Sequence, residues 1–484
     1  MEIQGIREHK NPMLNHVVLE RIFQLAEFDT KSFANYRLVC KEWYESSLQT
    51  WRKKGWISIT TCHQHHGVHV EDFLQLLKSP EHRFAARPFH KYIINQWRGA
   101  IHDKDGESEN PAILQFWKAV GPLMTHLNLK SSHFYFNDNF RKVIFELTPN
   151  LKSLAVGEIV YIRRDDLFHV YDFDPQQKGL KVCQHLTELK VNLVEFESCP
   201  MMWKELLWHF PNMEIFEATR RAPGPFHWFL CELLEIFEHL RNTVGSHYFK
   251  NLSELHLLQL DTFTPELALV LQRLQFPLKV LTFGFGSERG IKRAKKMLRL
   301  VLKTHAQTLE ELILVREEEC GPYEDFPFGI QFPKLTKFRS SGKLVNNFKF
   351  VQHMPNLEYL FLEQEGHRIQ LNKVGWRNSV VNLNLTEFKL TDKFCTGREL
   401  KFLGKLMPNL TKISLGLRNK ECFKSLCSIW KDVTDLNIYS RDSDEDAYWK
   451  SKEGDKFMKE NIDNLIELRS LKVGKLVEYP ECML

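Results

Sequence analysis

One apolar phrase recurs along most of the chain. Its form is apolar-x-x-apolar-x-apolar, as in "LTPNLKSLAV", "CQHLTELKV", "FKNLSELHL", "MPNLEYLFL" and "MPNLTKISL". It starts at Met124, Leu151, Leu186, Met213, Leu252, Leu278, Leu309, Leu335, Leu357, Leu385, Leu410, Val433 and Leu468, thirteen times, at spacings of 22 to 39 residues. Alternating apolar residues such as Leu360 and Leu362 predict a short strand with one buried face. Pro149-Asn150, Pro211-Asn212, Pro355-Asn356 and Pro408-Asn409 precede four of the phrases. Proline cannot continue a helix, and asparagine favours a turn. Between phrases lie helical segments such as "FTPELALVLQRLQ" and "RGIKRAKKMLRLVLKTH". Each unit reads as strand, loop, helix, and must stack on its neighbours to bury its apolar face.

A recurrence averaging about 29 residues sits at the upper end of the leucine-rich repeat period. Over roughly residues 110–484 the chain resembles leucine-rich repeat proteins. The resemblance implies an α/β fold, an irregular solenoid with parallel strands on a concave face and helices on a convex one. There is one departure. The family often carries Asn or Cys three residues after the last apolar position, and none of the thirteen phrases does. The hydrogen-bonding ladder those residues build is therefore expected to be missing.

The pattern changes before the repeats. "NPMLNHVVLERIFQLAEFDTKSFANYRLVCKEW" predicts three short helices. Val18, Leu19, Ile22 and Phe23 form one helical stripe, and Leu38, Val39 and Trp43 repeat it. Asp29 or Thr30 can cap the helix between them. So short a piece is marginal as an independent core, and some of its apolar face is expected to be finished by a partner.

The segment from about 11 to 56 resembles an F-box. Pro12, Val18-Leu19, Ile22-Phe23, and Leu38-Val39-Cys40 with Trp43 fall in the order of that family's pattern. Asn11 stands where a Leu is usual before the proline, and "LAEFDTKSF" makes the middle turn longer than the common form. The resemblance implies a three-helix module that docks a Skp-family adaptor, and through it a cullin–RING ubiquitin ligase. Pro12, Val18, Leu19, Ile22, Phe23, Leu38, Val39, Cys40 and Trp43 are the implied contacts, shared between that interface and the module's own core. An F-box followed by leucine-rich repeats is a familiar arrangement of substrate receptors. The expected organisation is a tail (1–10), the F-box (11–56), a mixed helical linker (57–109) and the repeats (110–484).

Composition adds bounds. Hydrophobic residues make up 43% and charged residues 26% of the 484, ordinary for a globular protein. The net charge of +5 is too mild for the concentrated basic face of most nucleic-acid binders. No stretch has the unbroken apolar length of a membrane span, and no apolar signal core opens the chain. The ten cysteines include no CxxC pair. These features predict a cytoplasmic or nuclear protein with reduced thiols, so the sequons at Asn251, Asn384 and Asn409 lack a secretory context.

Other chemistry is thin. "TCHQHHGVHV" gathers Cys62, His63, His65, His66 and His69, but neighbouring side chains diverge and no second ligand pair follows. Lys292, Arg293, Lys295 and Lys296 follow glycines, without the P-loop lysine spacing, and read as a solvated helix face. No Ser-His-Asp, HExxH, nucleophile-elbow or kinase pattern is present. The reading is a non-catalytic receptor without metal or cofactor. Its substrate would meet the outward residues of the strand phrases: Lys337, Arg339, Tyr359, Phe361 and Lys389, with Tyr359 and Phe361 as exposed aromatics between cations. The alternatives are a repeat scaffold whose F-box-like hairpin caps the first repeat, or nucleic-acid binding through the basic helix.

Overall fold

The computed structural model describes residues 43, 55–60, 68–78, 89–95, 111–135, 138–160, 182–193, 200–220, 227–260, 265–285, 291–316, 326, 329–341, 348–363, 381–440, 451–462, 465 and 467–475. The chain forms two compact units, Met1–Met213 and Glu214–Leu484. The described part is α/β, and every strand is parallel to those it is paired with.

The first unit holds β1 (Ile57–Thr60), β2 (Val68–His69), β3 (Lys91–Asn95), β4 (His126–Tyr135), β5 (Ser153–Val160) and β6 (Glu188–Leu193). Their order is β2-β1-β3-β4-β5-β6. Its helices are α1 (Val70–Lys78), α2 (Pro111–Val120), α3 (Asp138–Arg141), which runs into a π turn at Lys142–Leu147, and α4 (Pro200–Trp208). Three strands thus lie within 57–109, the segment read from sequence as a mixed helical linker, so the parallel array starts earlier than residue 110. Phe89, Tyr92 and Ile94 repeat the apolar phrase there and are buried.

The second unit holds β7 (Ile215–Arg220), β8 (Glu254–Leu260), β9 (Val280–Phe285), β10 (Glu311–Arg316), β11 (Lys337–Ser341), β12 (Tyr359–Glu363), β13 (Glu387–Cys395), β14 (Lys412–Leu417), β15 (Asp435–Ser440) and β16 (Ser470–Lys475). They lie side by side in chain order. Its helices are α5 (His227–Thr243), α6 (Pro265–Leu274), α7 (Ile291–His305), α8 (Gly397–Leu406), α9 (Lys420–Ile429) and α10 (Lys452–Ile462). Neighbouring parallel strands need a crossover between them, and these helices supply several. A 3₁₀ turn, Phe348–His353, takes that place between β11 and β12.

All thirteen phrases named from sequence lead into a strand that begins two residues after the phrase start. Register explains why. Leu312, Phe338, Leu360, Phe388, Ile413 and Leu436 are direct partners across successive strands, and all are buried. A slip of one residue would turn this column out to solvent. At the end of the ladder, Leu471 and Val473 of β16 are only half-buried.

A second ladder runs just ahead of the strands. The N–H groups of Glu358 and Tyr359 both donate to the Thr336 carbonyl, those of Thr386 and Glu387 to the Glu358 carbonyl, and those of Thr411 and Lys412 to the Thr386 carbonyl. Where threonine holds that position its hydroxyl joins in, as from Thr411 to the Thr386 carbonyl at 3.3 Å. The asparagines add a third row. Asn150 donates to the Pro122 carbonyl (2.8 Å), Asn384 to Pro355 (2.9 Å) and Asn409 to Leu383 (2.8 Å). This row is distinct from the ladder that Asn or Cys after the strands would build: its asparagines stand before the strands. The amide nitrogens of the Asn384 and Asn409 sequons are engaged in these rungs.

Candidate functional site

Of the nine residues implied in adaptor contact, Pro12, Val18, Leu19, Ile22, Phe23, Leu38, Val39 and Cys40 lie outside the described residues. Trp43 is helical and half-buried. The Cys62–His66 run also lies outside them, as do the side chains of Lys292 and Arg293. Among the described residues, no group of three His, Cys, Asp or Glu is placed to hold a metal ion, and no helix is long and apolar enough to cross a membrane.

The five residues named for substrate come together on β11, β12 and β13. Lys337 is the direct partner of Tyr359 and Arg339 of Phe361, while Phe361 is in turn the partner of Lys389. The Arg339 guanidinium carbon lies 4.9 Å from the Phe361 ring centre, and Lys389 Nζ lies 5.3 Å from that of Tyr359. Such contacts are attractive because each ring face carries partial negative charge. Phe361 is only 7% exposed, which corrects the expectation of two open aromatics. Arg339 covers it, so the accessible surface here is guanidinium rather than ring. Tyr359 is half-buried. Burial pushes its phenol above the ordinary value, while Lys389 and Arg339 pull it part of the way back.

Three acidic residues outside the five named for substrate organise these cations. Glu311 meets Lys337 at 3.4 Å, and Glu363 meets Arg339 at 3.8 Å. Glu387 meets Lys389 at 3.1 Å and Lys412 at 3.9 Å. Glu311 and Glu387 occupy the same outward position of their phrases, two residues after Leu309 and Leu385, whereas Glu363 follows the last apolar residue of its phrase. One strand further on, the Tyr439 hydroxyl bonds Ser414 Oγ at 2.6 Å and accepts from Asn437 Nδ2 at 3.0 Å. The face is thus a grid of neutralised charge, aromatic carbon and fixed hydroxyls. It is suited to polar contact with a protein surface and carries little net charge of its own.

A cleft of about 410 Å3 opens where α8 and α9 begin, lined by Thr396, Gly397, Arg418, Asn419, Glu421, Cys422 and Ser425. One first-turn amide of each helix is capped by a side chain. Thr396 Oγ1 accepts from the Glu399 N–H at 3.4 Å while Glu399 Oε2 accepts from the Thr396 N–H at 2.8 Å, a reciprocal cap. Asn419 Oδ1 accepts from the Cys422 N–H at 3.1 Å. The Cys422 thiol points to Asn419 Oδ1 at 3.0 Å. Burial pushes the Cys427 thiol up to about 12 and that of Cys183 up to about 11, far from a reactive thiolate near neutral pH.

No family model matches the chain, and no curated protein matches it.

Proposed function

We propose that the chain is the substrate-recognition subunit of an SCF-type ubiquitin ligase, built from an F-box and a leucine-rich repeat solenoid. One observation supports the solenoid half most strongly: thirteen sequence phrases coincide with parallel strands, which in each unit pair with their neighbours in phrase order. Repetition of this kind presents side chains at matched positions of successive strands, as Lys337, Tyr359 and Glu387 do, and so offers an extended surface to a protein partner. The F-box half rests on the sequence pattern from Pro12 to Trp43. In this reading the F-box apolar stripe docks a Skp-family adaptor, and the β11–β13 face contacts substrate. The receptor does no chemistry. Tethering raises the effective concentration of substrate lysines near the transferring enzyme.

Affinity capture of the intact protein from cells tests the reading. It predicts an adaptor and a cullin in the eluate, both lost when Leu38, Val39 and Trp43 are changed to polar residues. An eluate without them, or one unaltered by the changes, contradicts it.

A further inference from the structure

Exposed charges in the second unit divide unevenly between strands and helices. On the strands, cations meet acids, as Lys337, Arg339, Lys389 and Lys412 do. Several cations on and beside α8 and α9 do not. Arg398, Lys401 and Lys405 are exposed at i, i+3 and i+7 along α8, which puts them on one stripe. Lys424 is exposed on α9, with Arg418 before it and Lys431 after it. None of these six side chains has an ion-pair or hydrogen-bond partner among the described residues.

The packing brings the two helices close. A Cβ on Gly404 would collide with Ile429 Cγ2, and one on Gly397 would stand 3.3 Å from Ser425 Oγ. Trp430 Nε1 donates to the Met407 carbonyl at 2.8 Å, tying the two C-terminal ends. Two glycines on one side of α8 therefore let a second cationic helix approach the first. Like charges gathered in this way repel and work against folding.

A face of unpaired positive charge is complementary to a polyanion. A bilayer surface asks for apolar side chains among the cations, and none of the exposed large apolar residues identified lies on α8 or α9. Single-stranded nucleic acid asks for aromatic platforms, and no exposed aromatic lies on either helix. Exposed Glu421 and Asp432 interrupt the face, which disfavours the continuous charge of a phosphate backbone, whereas separate carboxylates can be placed around them. We infer that the α8–α9 face docks an Asp/Glu-rich segment of a partner protein. From Arg398 to Lys405 the helix rises about 10 Å, the span of roughly three extended residues.

This surface shares no residue with the adaptor-docking stripe, and its test uses no adaptor, so the two readings fail independently. The full chain is titrated by fluorescence anisotropy with a labelled poly-Glu peptide, its poly-Gln counterpart, a DNA duplex, and vesicles containing phosphatidylserine. Poly-Glu binds, more weakly as salt rises, and the combined R398Q, K401Q, K405Q and K424Q variant loses at least about tenfold in affinity. The milder K401Q/K405Q pair shifts affinity in the same direction. K456Q/K459Q on α10, whose lysines lie 4.0 and 2.6 Å from Glu460 and Asp455, leaves binding unchanged. Equal binding of poly-Gln, unchanged affinity in both α8–α9 variants, or tighter binding of the duplex or the vesicles overturns the inference.

Discussion

The Asn356 side chain donates a 2.7 Å hydrogen bond to the backbone carbonyl of Pro333, which stands one position earlier in the preceding repeat. Asn356 directly precedes the phrase start Leu357, and Pro333 lies two residues before Leu335. The turn closes beneath this rung, with the Leu357 N–H donating to the Met354 carbonyl at 3.1 Å. One asparagine thus serves two functions. It suits the turn that redirects the chain into the strand, and it ties that turn to its neighbour.

Replacing Asn356 by alanine removes one neutral hydrogen bond at an exposed site. The expected loss is about 0.5–1.5 kcal/mol, the ordinary net worth of such a bond. Denaturant unfolding of the N356A and N409A variants measures it. The double variant should show close to additive losses, because the two rungs share no partner. No loss in either variant would remove the ladder from the account of stability.

Gly404 is a packing position rather than a turn position. Alanine there overpacks the α8–α9 contact against Ile429, at an expected cost of about 1–3 kcal/mol. Adding I429A vacates the colliding methyl, so G404A costs less in that background than in the wild type. A double-mutant cycle by thermal and denaturant unfolding reads the coupling; equal costs in both backgrounds would mean that the helices do not approach as described.

Ser340 occupies an inward position of β11, between Leu314 and Leu362 in the register, and is 1% exposed. Its hydroxyl has no hydrogen-bond partner among the described residues. A buried unpaired hydroxyl is unfavourable, so S340A should raise stability by about 1 kcal/mol. A clear drop in the unfolding midpoint would show the hydroxyl to be engaged.

His305, at the end of α7, is 2% exposed and faces the Leu271 carbonyl at 3.4 Å. Burial lowers its affinity for a proton below the ordinary histidine value of 6.5, although carbonyls of Leu271 and Phe276 oppose the shift. The unfolded chain then binds the proton more readily than the folded one. Stability is therefore full above about pH 6.5 and falls as pH drops through the folded value. Burial lowers His126 and His353 as well, so both add to the same slope. In H305Q the slope of unfolding free energy below pH 6.5 should be shallower. An identical slope would mean that His305 does not titrate between the two states.

Much of this architecture could be read from residue order because the buried positions obey a fixed register. Leu335, Leu357, Leu385 and Leu410 are all fully buried or nearly so, and a strand follows each at the same offset. The early strands were harder to see. Phe89, Tyr92 and Ile94 fit the phrase with aromatics in place of leucine, and in β1 the phrase start is Lys54, which breaks the pattern. The asparagine rungs stand before the strands, a place to which the leucine-rich repeat resemblance does not point. In β12 simple alternation predicted an open Phe361, but an arginine from the preceding strand folds across the ring. A side chain that long chooses its resting place from three-dimensional surroundings, which spacing along one strand does not encode.

The central claim is tested most directly by titrating the purified chain with a purified Skp-family adaptor in a calorimeter. The account predicts saturable one-to-one binding that disappears when Leu38 and Val39 are both changed to aspartate and persists when Tyr359 and Lys389 are changed to alanine. No heat of binding with the wild-type chain, or equal binding by the Leu38 and Val39 variant, would contradict it.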